Sequence, residues 1–198
     1  MSKIILDLCG GTGEWSKPYR EAGYDVRIIT TPEFDVTTYH PPDNVYGVLA
    51  APPCTMFSMA RSNAKIPRDL RKGMEPVFAC LRVIAECQYN GSRLAFWAME
   101  NPKARLRWFL GKPAMTFQPF EFGDPHSKRT DIWGNFNTDL KRSPVKMTEE
   151  QVARSKTNSR KLPDLPNGYA LPPDMTKQGA RRSMTPQGFA QAFFEANK

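Results

Sequence analysis

The sequence predicts an α/β protein built on one open sheet, and three observations predict it. Short β-rich or apolar runs recur at residues 3–8, 24–31, 46–51 and 93–99, each too short for a buried helix. Helix-like segments with start and stop signals stand between some of them, the alternation that builds parallel sheets. Residues equipped for chemistry, Gly10-Gly11-Thr12-Gly13, Cys54 and Glu100-Asn101, follow the first, third and fourth runs. In an open α/β sheet these strand ends share one edge, where ligands bind.

The first run closes in Asp7-Leu8-Cys9-Gly10-Gly11-Thr12-Gly13, and residues 15–23 read as a helix stopped by Gly23. Strand, glycine loop and helix form a nucleotide-binding arrangement, because glycines admit a ligand close to the backbone and a helix start offers free N–H groups. The Gly-Gly-x-Gly spacing lacks the dinucleotide pattern, which disfavours NAD. A tight βα turn without a ligand has the same local pattern. After the second strand, Glu33 and Asp35 stand where such folds hold a ribose or an adenine, and the choice between the two acids stays open.

Pro41, Pro42, Asp43 and Asn44 turn the chain into the third strand, which Pro52 and Pro53 end by removing backbone donors. The next residue is Cys54. Arg61, Lys65 and Arg68 downstream are cations expected to stabilise its thiolate, although a small apolar filler has the same local sequence. Residues 55–72 have no clear period and read as a loop over a site. Residues 75–90 form the clearest helix, with Pro76 in its first turn, a stripe of Val77, Leu81, Ile84 and Gln88, and Asn90-Gly91 as its stop.

The run at 93–99 leads into Glu100-Asn101-Pro102, a carboxylate and an amide at a strand end; capping of a following helix by Asn101 is the rival reading. Residues 117–134 read as two strand-like pieces flanking a polar turn with His126, Lys128 and Arg129. Residues 137–180 change character. Prolines at 144, 163, 166, 172 and 173 interrupt them, and their one helix candidate, residues 149–154, follows the Thr148-x-x-Gln151 capping box. Thr185 and Pro186 start an amphipathic terminal helix. The expected organisation is a core of residues 1–136, a short insert at 137–180 and a C-terminal helix at 181–198 that returns to the core.

A net charge of +8 and a pI of about 9.4 favour a polyanionic partner. No apolar run is long enough to span a membrane and no signal peptide is recognisable, so the expected compartment is the cytoplasm. Cys9, Cys54, Cys80 and Cys87 lack metal-ligand spacing, so reduced thiols are expected and a structural zinc is not. A cysteine that adds to an electron-poor ring activates the neighbouring carbon, and an acid at the ring nitrogen makes the addition feasible. Cys54 and Glu100 are the two groups that pyrimidine chemistry needs.

At these residues the chain resembles the DNA (cytosine-5)-methyltransferases. Asp7-Leu8-Cys9-Gly10-Gly11-Thr12-Gly13 is similar to their S-adenosylmethionine-binding motif, and Pro52-Pro53-Cys54-Thr55-Met56-Phe57-Ser58 to their catalytic motif. Glu100-Asn101 resembles their Glu-Asn motif, and Phe122-Gly123-Asp124-Pro125-His126-x-x-Arg129 their Gln-x-Arg-x-Arg region. Arg182-x-x-Thr185-Pro186 is similar to the start of their ninth motif, and the order is the family's. The chain departs from the pattern at His126, which replaces the glutamine, and at Thr130-Asp131, which occupy the zone of the second arginine.

The resemblance implies a Rossmann-like S-adenosylmethionine-dependent methyltransferase sheet with helices on both faces and a very small recognition lobe. It implies attack of Cys54 on carbon 6 of a flipped cytosine, Glu100 at its N3 and exocyclic amine, Asn101 orienting the loop and Arg129 contacting the nucleotide. Asp7, Cys9, Gly10, Gly11, Gly13, Trp15, Pro52 and one of Glu33 and Asp35 would hold S-adenosylmethionine. The implied partner is duplex DNA, with short or relaxed sequence specificity, read by a monomer. Compact members of this kind look like phage or prophage enzymes of restriction-modification type, acting in a bacterial or phage-infected cell. The same chemistry on RNA or a free nucleotide, and a non-catalytic nucleic-acid binder of the same fold, are the alternatives.

Overall fold

The computed structural model describes residues 2–59, 65–89, 94–156, 162–172 and 175–198. Arg61 and the Asn90-Gly91 helix stop lie outside the described residues. The expected α/β sheet is present. Its six strands are β1 (Ile4–Leu8), β2 (Asp25–Ile29), β3 (Val45–Ala50), β4 (Phe96–Pro102), β5 (Met115–Phe117) and β6 (Thr130–Asn135). They lie in the order β2-β1-β3-β4-β6-β5. The first four are parallel, whereas β6 runs antiparallel between β4 and β5. The order reverses at β1 and β3, which makes the crevice beyond their C-terminal ends the switch point of a Rossmann-like sheet.

Side chains alternate across each strand and fill two cores. On one face Leu6, Leu8, Val48, Ala50 and Met99 meet Met74, Val77, Cys80, Val83, Ile84 and Cys87 of α2 (Leu70–Tyr89). On the other, Ile5, Leu49, Phe96, Ala98 and Ile132 meet Tyr19 of α1 (Lys17–Glu21) and Phe189 and Phe193 of the terminal helix. Helices therefore cover both faces. Shorter helices are α3 (Arg107–Leu110), α4 (Glu149–Lys156) and α5 (Lys177–Ser183), and the terminal helix is α6 (Gln187–Ala196).

Several boundaries depart from the sequence expectation. α1 is confined to Lys17–Glu21 because Trp15 is drawn into the second core and Ser16 bonds back to β1. α2 starts at Leu70, not at residue 75, and Pro76 lies inside it. Asp69 caps that start, its Oδ1 accepting from the Lys72 N–H at 2.9 Å. Met56 packs over Gly73, where a Cβ would come within 2.7 Å of it. The buried stripe of α2 is correspondingly rephased to Met74, Val77, Cys80, Ile84 and Cys87, leaving Gln88 exposed.

Residues 119–122 form a 3-10 turn (Pro119–Phe122) in place of a continued strand. The capping box before α4 is formed: the Thr148 N–H donates to Gln151 Oε1 and the Gln151 N–H to Thr148 Oγ1. α5 arises unexpectedly at the end of the insert, capped by Thr176 Oγ1, which accepts from the Gly179 N–H at 3.0 Å. α6 begins one residue late, with Pro186 as its N-cap.

Candidate active site

Antiparallel β6 starts at the edge where the parallel strands end. The glycine loop after β1, Cys54 after β3 and Glu100-Asn101 in β4 thus share one edge with residues 128–130. Cys54 sits in a single turn whose first carbonyl is its own, accepting from the N–H groups of Phe57 (3.0 Å) and Ser58 (2.8 Å). The Asn101 Nδ2 donates to the Pro52 carbonyl at 2.9 Å, so the amide next to Glu100 fastens the stretch that delivers the thiol. Arg68 fastens the far side of the turn, donating to the carbonyls of Met56 (2.8 Å) and Ser58 (2.9 Å). Arg68 acts on the backbone, not on the thiol, and Lys65 is exposed.

The cation at the site is Lys128. Burial pushes the Cys54 thiol up, Lys128 opposes that shift, and the Glu100 carboxyl adds to it. Burial likewise raises Glu100, against the pull of Lys128. Its Oε2 is buried without a hydrogen-bond partner, as is Asn101 Oδ1. A carboxyl held toward its protonated form, with an unmet oxygen, can donate to a ring nitrogen or accept from an amine. A narrow cleft lined by Glu100, Lys128, Thr130, Thr185, Pro186 and Phe189 brings the C-terminal segment to the acid. Arg129, the next residue, is exposed and lines a different cleft with Lys103 and Lys112. The structure thus groups Cys54, Glu100, Asn101 and Lys128 and places Arg129 apart. Within the polar turn before β6, nothing local in the sequence distinguishes Lys128 from Arg129.

The glycine loop is strongly curved, with φ of +55° at Cys9, +54° at Gly11 and +70° at Gly13. Gly11 is the open position of the three glycines: the nearest atom to a Cβ there is the Tyr169 hydroxyl at 3.9 Å. A Cβ at Gly10 would strike the Asp7 carboxyl at 2.4 Å, and one at Gly13 would strike Ile28 at 2.5 Å. Asp7 is fully buried under the loop and accepts from Ser16 Oγ at 2.5 Å, and burial raises its carboxyl to about 6. Its Oδ1 and the Oε2 of Glu14 are buried and unpartnered.

Trp15 is a core residue, its ring 5.4 Å from that of Phe193. Asp35 is engaged in a local turn with the N–H and hydroxyl of Thr37, both 2.8 Å away, which lowers its carboxyl. Glu33 is exposed. An open curved loop backed by unmet carboxyl oxygens, with an exposed acid beyond β2, fits a ligand bearing an amino group, a carboxylate and a ribose. S-adenosylmethionine is such a ligand.

No family model and no curated protein matches the sequence. Among solved structures, the chain is similar to the Entamoeba histolytica methyltransferase EhMeth at 11% identity, covering 75% of this chain and 58% of that one with a TM-score of 0.47. It is similar to the S. pombe Dnmt2 methyltransferase at 14% identity, covering 86% and 58% with a TM-score of 0.42. A DhpI–SAM–HEP complex matches at 12% identity, over 79% and 69%, with a TM-score of 0.30. The chain spans 58% of the length of each of the first two. What the site can do follows from its own residues.

Proposed function

We propose that this protein is an S-adenosylmethionine-dependent methyltransferase acting on carbon 5 of cytosine in DNA through a covalent Cys54 adduct. The observation that carries the reading is the unmet Glu100 Oε2 beside Cys54 and Lys128 on the sheet edge that also bears the glycine loop. Gly11, on the loop that the buried Asp7 supports from beneath, and Glu33 are the groups that would hold S-adenosylmethionine. When bound, it supplies an electrophilic methyl group.

Cys54 gives up its proton and adds to carbon 6 of the flipped base. Glu100 holds N3 with its proton and accepts from the exocyclic amine, so negative charge generated by the addition is carried at carbon 5 rather than stranded on the ring nitrogen. Lys128 favours the thiolate form of Cys54 against the effect of burial. Asn101 keeps the Pro52 carbonyl, and hence Cys54, in place during attack. Once carbon 5 carries the transferred methyl group, loss of its proton to water forms the C5=C6 bond, releases the Cys54 sulfur with the C6–S bonding pair and restores the aromatic ring.

The test is transfer of labelled methyl from S-adenosylmethionine to duplex DNA, RNA and dCMP, with 5-fluorocytosine DNA as a trap. Wild type is expected to label duplex DNA and to form a covalent adduct with the trap, and Cys54→Ser to do neither. Label appearing only in RNA or only in dCMP would reassign the substrate, and none anywhere would leave a nucleic-acid binder.

A further inference from the structure

Beside the active-site edge, a cleft of about 380 Å³ is lined by Lys103, Lys112 and Arg129, with no carboxylate among the described residues of its wall. Arg107 also lines it, but its guanidinium is committed to the buried Asp131, through contacts of 2.5 Å to each carboxyl oxygen. From α3, which borders the cleft, Trp108 projects with 72% of its surface exposed and Phe109 with 46%. The Arg105 guanidinium stands 5.5 Å from the Trp108 ring.

This surface is continuous with the turn that carries Cys54. Phe109 meets Phe57 edge-on at 6.1 Å, and Arg105 Nη1 approaches Met59 Sδ at 3.3 Å. The segment leading into β6 supplies the second link, since Lys128 faces Glu100 while its neighbour Arg129 faces the cleft.

We propose that this cleft holds an unpaired nucleic-acid strand, with phosphates on Lys103, Lys112 and Arg129 and a base stacked on Trp108. Three cations, with no acid among the described residues of the wall, match a phosphodiester backbone. The exposed indole of Trp108, next in sequence to Arg107 of the cleft wall, supplies the stacking platform that single-strand binders use. A duplex hides its base faces in the stack and leaves such a ring without a partner; an unpaired strand offers them. The strand would run past the turn of Cys54, so the proposal rests on the methyltransferase reading for the identity of the reacting base, but the binding surface stands independently of it.

The test therefore uses strands without cytosine. Labelled oligothymidylate and oligouridylate of about twelve nucleotides, within the range of single-strand site sizes, and an A·T duplex of equal length are titrated by fluorescence anisotropy. Trp108→Ala is expected to weaken strand binding about tenfold, the size of one lost base stack, and Trp108→Tyr to restore most of it. Lys112→Glu is expected to weaken binding and make its salt dependence shallower. A defect with oligothymidylate alone assigns the cleft to DNA, and one with oligouridylate alone to RNA; each upholds it.

Wild-type affinity for the strand in Trp108→Ala, or an equal loss of duplex affinity in that variant, overturns the proposal. So does an acidic peptide that displaces the strand as well as unlabelled oligothymidylate does. Should methyl transfer fail on every substrate while the Trp108 defect persists, the surface stands and the reaction falls.

Discussion

Asp7 has a measurable consequence of its own. In an unfolded chain its carboxyl ionises near 3.8, whereas under the glycine loop it holds its proton to about 6. Between those values the folded state binds more protons than the unfolded one, so stability falls as pH rises through that window. The interval corresponds to roughly 3 kcal/mol. Asp7→Asn keeps an acceptor for Ser16 Oγ but does not titrate. The stability of wild type relative to Asp7→Asn, from urea unfolding, is expected to drop by roughly that amount between pH 4 and pH 7, and parallel profiles would contradict the buried acid.

Cys54, Glu100 and Asn101 were legible in the sequence because each follows a run that could only be a strand, and strand ends of such a sheet converge. Trp15 was not. Its position after a glycine loop suits a ligand contact, and only the docking of a helix from the far end of the chain makes it core. The cation was misplaced for a related reason. Arg68 is near Cys54 in sequence but is used on backbone carbonyls, while Lys128 arrives from the distant turn before β6.

At the scale of elements, α6 shows how close approach selects a residue. A Cβ on Gly188 would stand 1.7 Å from the Phe122 carbonyl oxygen, and the Gly188 N–H donates to Asp124 Oδ2 at 3.1 Å. Gly188→Ala must lift the start of α6 from the 3-10 turn, and a loss of about 1–3 kcal/mol is expected from urea unfolding. No change in the midpoint would mean that α6 is free to shift.

The parallel strands were legible from their apolar runs and their glycine and proline ends. The start of α2 was hidden because Pro76 resembles a first-turn proline, while the true start relies on Asp69 and on Met56 covering Gly73, a tertiary contact. α5 was hidden by the prolines that precede it.

For the whole molecule, the glycine loop makes ligand binding a stability measurement. At a concentration one hundred times its dissociation constant, S-adenosylhomocysteine should add about 2.7 kcal/mol. For a chain of this size that raises Tm by roughly 5–10 °C. Gly11→Val, which puts a branched side chain at a φ of +54° and into the open position, is expected to abolish the shift. A shift that survives this change would move the ligand elsewhere.

The direction of β6 was the part of the architecture that local sequence could not carry, since a strand's own residues do not record whether its neighbour runs with it or against it. Yet that direction brings Lys128 to Glu100. The four groups of the site come from three separate stretches of chain, after β3, in β4 and before β6, so a peptide spanning residues 50–61 contains the thiol but neither the acid nor its counter-cation. Fragments of this protein should be chemically mute, and the reactivity of Cys54 should serve as a readout of whether the sheet has closed.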